Sequence, residues 1–351
     1  MRNFLEEVEF GRKGGKKGLK MGLPRFSKFV NNIQKAIYVV IGALQKTGKT
    51  AFVDHCYVLS PYLYEPDAKV NWIYFSYEID RIEKMAKFCA YFMQIKYDIL
   101  CDSNYILSRG DNKLADEHVD LIKEIYSNEL IDLFGEYDTY GKCVKKGRID
   151  FHEDKENPTG IYKYLMEYAR NNGEFIREKY TIDSKEYYRV IGYKENNPEL
   201  ITIVILDHIG LMKRERGYNK KENIDKMSEY FVWLRNICQF TPVVMSQFNR
   251  DLGKTDRLKF NGEQLQPTME DFKDSGNTGE DASLVIALFD AGRYPHIKKH
   301  LGYDLSKVGK GYRSAHILAS RNTETGVNIS LKLYGQTGFF EELEKTNTYG
   351  N

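Results

Sequence analysis

Gly48, Lys49 and Thr50 follow an apolar, β-branched run from Ile37 to Ile41 and precede a stretch that reads as a helix. Strand, glycine-bearing turn and helix, in that order, are what binding a phosphate requires. The strand anchors the loop, glycine lets backbone N–H groups approach an anion, and the helix N-terminus adds positive potential. In such a loop Lys49 reaches the β- and γ-phosphates and Thr50 offers its hydroxyl to Mg²⁺. The usual opening glycine, five residues before Gly48, is here Ala43, with Gly42 one place earlier. The expected nucleotide contacts are therefore Gly42, Ala43, Gly48, Lys49, Thr50 and Ala51.

Three other residues end apolar runs that read as strands. Asp207 follows ITIVIL and is placed to hold Mg²⁺ opposite Thr50, although a carboxylate there also suits a helix cap. Glu78 follows VNWIYFS and is placed to accept a proton from an attacking water, although a glutamate at a helix start needs no such role. Gln247 follows PVVMS, from where it can hydrogen-bond a γ-phosphate or the water. Two basic segments follow the same strands. One is KRERGYNKK, with Lys213, Arg214, Arg216, Lys220 and Lys221; the other carries Arg250, Lys254, Arg257 and Lys259. Gly217 and Gly253 can act as pivots, and basic loops of this kind suit a phosphate backbone whose sequence is not read.

The elements that must position these residues alternate between strand and helix over more than 200 residues, which argues an α/β fold with a largely parallel sheet. Expected helices cover Ala51 to Tyr64, Arg81 to Tyr97, 112 to 134, Gly160 to Gly173 and Ile224 to Phe240. In the second of these, Ile82, Met85, Ala86, Cys89, Phe92 and Met93 recur at helical spacing and predict one buried face. Expected strands are Val70 to Ser76, 148 to 152, Ile201 to Leu206, Pro242 to Ser246 and Ala282 to Phe289. Arg313 to Ser320 and Val327 to Tyr334 read as a closing hairpin, and residues 174–199, where helical periodicity fails, as an inserted one. The N-terminal residues read as a short helix with Phe4, Leu5 and Val8 on one side. A basic Gly/Lys linker follows up to residue 21, then a single domain over 22–345 and a tail over 346–351.

With 351 residues, 42% of them hydrophobic, the chain can bury a full core. A formal net charge of +2 does not announce a polyanion partner, so any such surface must be local. The cysteines at 56, 89, 101, 143 and 238 show neither CxxC pairs nor metal spacing, the usage of a reduced, cytoplasmic protein. No apolar run approaches a membrane span.

In order and wording these motifs resemble the ATPase domain of DnaB-like replicative helicases, a superfamily 4 group with a RecA-type core. GALQKTGKT resembles that family's Walker A, in which alanine is normal at the first position. FSYEID (Phe75 to Asp80) resembles its FSLEM segment, ILDHIGLM (Ile205 to Met212) its Walker B and SQFNR (Ser246 to Arg250) its SQLNR. PTMEDFKDSGNTGEDASLVIAL resembles the run ending in SGSIEQDAD, and HILASRNTETG the KxRNGPTG motif. Similarity runs from about Gly22 to Phe340.

The resemblance implies a RecA-like P-loop NTPase using ATP and Mg²⁺, with Glu78, Lys49 and Gln247 catalytic. It implies a homo-oligomeric ring, usually a hexamer, around single-stranded DNA, with Arg321 supplied to the neighbouring subunit's nucleotide. It leaves a RecA-like recombinase, or a scaffold ring that does not unwind, as alternatives. Several positions depart from the family pattern. Ala319 stands for the usual lysine, His208 for a tyrosine, and Gly279 and Ser283 for acidic residues. About twenty residues precede Gly22, so the helical N-terminal domain used for primase contact is expected to be missing, as in phage-encoded relatives.

Overall fold

The computed structural model describes residues 4–249, 265–272 and 278–344. Nine strands form its main sheet, numbered here along the chain. They are β1 (Val39–Ala43), β2 (Val70–Ser76), β3 (Ile149–His152), β4 (Ile201–Asp207), β5 (Thr241–Gln247), β6 (Leu284–Phe289), β7 (Tyr312–Ser320), β8 (Asn328–Tyr334) and β9 (Phe339–Glu342). Their order across the sheet is β9-β8-β7-β6-β1-β5-β4-β2-β3. The strands from β6 to β3 run parallel, and β7, β8 and β9 add an antiparallel flank.

The parallel part explains its own composition. Every residue of β1 and β6 is buried, because helices cover both faces, and near-continuous Val, Ile and Leu is what such a strand needs. Ile41, Ile203 and Ile205 join the core beneath helices α1 and α2, which span residues 49–64 and Arg81–Tyr97. Val40, Val204 and Leu206 point the other way, into the core beneath α3 (Pro158–Asn172) and α4 (Lys220–Cys238). The alternation within each strand thus feeds two layers.

The main helices and strands follow the sequence expectations closely, and four of the differences matter below. Ala86, Cys89, Phe92 and Met93 of α2 are buried as expected, but Ile82 is 60% exposed, and the buried surface extends to Lys84, Phe88 and Tyr91. Helix α1 begins at Lys49 and contains a π-helical turn over Asp54–Leu59. Helix α4 begins at Lys220, where Asn219 and Glu222 close a capping box, so Lys220 and Lys221 stand in its first turn and not in a loop. Strand β9 has no counterpart among the expected strands; it pairs with β8 through Phe340, which is buried against Phe52 of α1.

The inserted hairpin pairs Gly173–Ile182 with Lys185–Glu195, and Phe175 and Tyr193 pack its base toward Trp233 of α4. The N-terminal helix Phe4–Arg12 buries none of its residues. Among the described residues no helix is long and apolar enough to cross a membrane.

Candidate nucleotide site

In a parallel sheet the residues just past the strand C-termini share one edge, and here those ends converge. A cleft of about 550 Å³ at that edge is lined by Gln45, Lys46, Gly48, Lys49, Thr50, Ala51, Glu78, Asp207, His208 and Gln247, among others. Thr50 Oγ1 donates to Asp207 Oδ2 at 2.8 Å, and Lys49 Nζ donates to the Ser246 carbonyl at 3.1 Å. Residues from four separated stretches of sequence thus meet around one loop.

Gly48 is a glycine for two reasons. Its φ of +98° lies in the left-handed region, and a Cβ there would come within 2.7 Å of Leu333 Cδ2. Gly42 differs. It lies inside β1, opposite Ala287 and Ser246, and its missing Cβ leaves room for the rings of Phe248 and Phe272, 2.2 to 2.4 Å from where that atom would stand. The cleft lining begins at Leu44, and Gly42 and Ala43 lie in the buried strand that leads into it.

The titrating groups share one dielectric pocket. Burial pushes the Lys49 ammonium below its ordinary value, and the Asp207 and Glu78 carboxylates oppose that shift. Burial raises Glu78, helped by the charge of Asp207 and opposed by Lys49. His208 falls to about 4, from burial first and Lys49 second, so it is neutral near pH 7. Its Nδ1 accepts the Gly210 N–H at 3.1 Å, which leaves the proton on Nε2, 3.4 Å from Glu78 Oε1. That contact is a neutral donor facing a carboxylate, not an ion pair.

Asp207 carries the sign of a cation site. Its Oδ1 is buried without a hydrogen-bond partner, while Oδ2 holds Thr50. One hydroxyl and one carboxylate suit Mg²⁺, which takes few protein ligands and completes its shell with phosphate oxygens and water. No cluster of three His, Cys, Asp or Glu side chains able to hold a metal unaided occurs among the described residues.

Arg321 stands elsewhere. Ser320 pairs with Leu284, which pairs with Val39 at the start of β1, so Arg321 lies at the opposite edge of the sheet from the phosphate loop. A five-residue strand separates the two edges by roughly 16 Å. Its guanidinium donates to the Glu280 carbonyl at 3.0 Å and is exposed. It does not line this chain's cleft.

Of the basic residues, Lys213, Arg214 and Arg216 are exposed just beyond β4. Their segment is held at its base, where Asn223 donates to the Lys213 carbonyl and accepts from the Glu215 N–H, and Glu215 pairs with Lys226. Arg250, Lys254, Arg257 and Lys259 lie outside the described residues.

Sequence reasoning missed part of the lining. The turn Gly335, Gln336, Thr337 and Gly338 borders the cleft, and Thr337 donates to Gln94 of α2. Asp54, one turn past Thr50, also lines it and binds the buried Lys84. The available signal was a lysine one turn before Phe88, on the face of α2 that the apolar spacing buries.

The fold and the phosphate-loop geometry define a RecA-like P-loop α/β domain. Residues 142–342 match the family described as the DnaB-like helicase C terminal domain, and the chain belongs to that family. It is 22% identical over 202 residues to the replicative DNA helicase DnaB of Helicobacter pylori, across 57% of this chain and 38% of that relative. The chain therefore spans less than half the length of that curated relative. Among solved structures it is similar to one described as an ATPase domain, with TM-score 0.65, 16% identity, and 97% of both chains covered. It is equally similar, with TM-score 0.65 and 16% identity, to a DnaB-like replicative helicase described with its interactions with primase, over 98% of this chain and 68% of that one. At such identities the solved structures establish the fold.

Proposed function

We propose that this chain is an ATP-driven translocase on single-stranded DNA that assembles as a ring and unwinds duplex DNA, with nucleotide bound between subunits. The observation that carries the reading is the pairing of Thr50 with Asp207, whose second oxygen has no hydrogen-bond partner, beside a phosphate loop from which Arg321 is remote. Lys49 and the loop N–H groups would bind the triphosphate, and Thr50 and Asp207 would hold Mg²⁺, which supplies neutralising charge to the β- and γ-phosphate oxygens. Glu78, raised by burial and faced by the His208 Nε2–H, would orient water and take its proton. Gln247 would sense the γ-phosphate.

Arg321, at the opposite sheet edge, would serve the next subunit's nucleotide, which a head-to-tail ring requires. Lys213, Arg214 and Arg216, with Lys220 and Lys221 in the adjoining helical turn, would track the DNA backbone. The test is ATPase rate with and without single-stranded DNA, together with strand separation on a forked duplex. DNA-stimulated hydrolysis with unwinding is the expected result. DNA-stimulated hydrolysis without strand separation would refute the helicase assignment.

A further inference from the structure

Two arginines that do not line the cleft grip the back of the phosphate loop. Arg313, the second residue of β7 and only 8% exposed, donates from Nε to the Thr47 carbonyl at 2.7 Å. Arg293, in the short helical turn after β6, donates from Nη2 to the Gln45 carbonyl. Arg313 is itself fixed, donating from Nη1 to the Tyr312 and Lys310 carbonyls and lying 3.3 Å from Asp290 Oδ1. Thr47 is buried, and the residues on either side of it, Lys46 and Gly48, have φ of +60° and +98°.

Alternating backbone of this kind turns successive N–H groups into one concavity, where an anion sits, and sends carbonyls outward. The carbonyl of the buried Thr47 needs a donor and that of the exposed Gln45 is held by one, or the peptides rotate and point oxygen at the phosphate. A guanidinium meets that need with a fixed planar fork, and lysine's single rotating ammonium does not. Neither arginine lines the cleft, and each meets the loop through a backbone carbonyl.

We propose that Arg313 and Arg293 are positioning residues that hold the Thr47 and Gln45 carbonyls away from the cleft, so that the loop presents amides to the β-phosphate. The inference rests on the phosphate-loop reading above. The experiment measures ATP and ADP affinity of the full chain by titration calorimetry, with the melting temperature of the nucleotide-free protein recorded for each variant. Arg313→Lys keeps the charge and loses the fork. Arg293→Met changes an exposed residue whose loss leaves the apo fold little altered.

The expected result is a rise in Kd for both nucleotides of about tenfold or more in each variant, the scale of one charge-assisted hydrogen bond. In Arg293→Met it comes with an unchanged apo melting temperature, a separation that a purely structural role would not produce. Wild-type affinity in folded Arg293→Met and Arg313→Lys, with binding abolished in Lys49→Ala, would overturn the clamp and leave the phosphate-loop reading standing. Wild-type affinity in Lys49→Ala would overturn both.

Discussion

Replacing Lys84 by methionine probes the buried charge that joins the two helices beside the nucleotide cleft. Lys84 is 0% exposed, and its ammonium lies 2.8 and 3.1 Å from the two carboxylate oxygens of Asp54 and 2.8 Å from the Tyr74 hydroxyl. Methionine fills similar space, so the perturbation is chiefly the lost charge. Asp54, also buried, keeps only the Tyr74 hydroxyl at 2.9 Å. Removing one partner of a buried pair costs about 3–5 kcal/mol, whereas replacing both by apolar groups is often neutral or stabilising. Lys84→Met should therefore lose about 3–5 kcal/mol, and Asp54→Leu/Lys84→Met should recover most of it.

The pH dependence gives a second check. Burial raises the Asp54 carboxyl above its ordinary value, and Lys84 is the first influence holding it down. Without Lys84 it rises further, so the native chain keeps that proton to higher pH than the unfolded chain does. Stability then falls as pH climbs from the ordinary carboxylate value through the raised one. Urea unfolding followed by circular dichroism should show a smaller deficit for Lys84→Met at about pH 5 than at about pH 8. A single variant as stable as wild type at the higher pH, or a double variant no better than the single, would refute the account.

Other outcomes follow from the same geometry. Gly48→Ala forces a side chain into a left-handed backbone and against Leu333, at a cost of about 1–3 kcal/mol of local strain, and should abolish ATP binding in calorimetry; wild-type affinity would contradict the loop conformation. Lys49→Ala and Arg321→Ala should each be inactive alone, the second while still binding ATP. An equal mixture should regain turnover because about a quarter of head-to-tail interfaces then combine an intact loop with an intact arginine. A mixture as inactive as its parts would place Arg321 outside the neighbouring site.

Much of this architecture was legible in the sequence because its signals are local. Strands buried on both faces must be apolar throughout, so β1, β2, β4, β5 and β6 stand out, and the polar residues at or near their ends mark the edge where Lys49, Glu78, Asp207 and Gln247 gather. Helix α3 opens where Asn157 caps the Gly160 N–H, a preference readable from Asn-Pro-Thr alone.

What remained hidden depends on contacts between residues far apart in the chain. The packing of Phe248 and Phe272 against Gly42 could not be read from the sequence, because a missing side chain serves an anion or a ring equally well. Lys84 looks solvated until Asp54 meets it across two helices, and Ile82, at the start of α2, looks buried until the packing leaves it 60% exposed. Arg313 and Arg293 carry no motif, since what they hold is backbone, and a carbonyl has no letter in the sequence. The residue types specified which chemistry was available. Only the strand order and register decided that Arg321 stands at one edge of the sheet and Lys49 at the other, because strand pairing joins residues far apart in the chain.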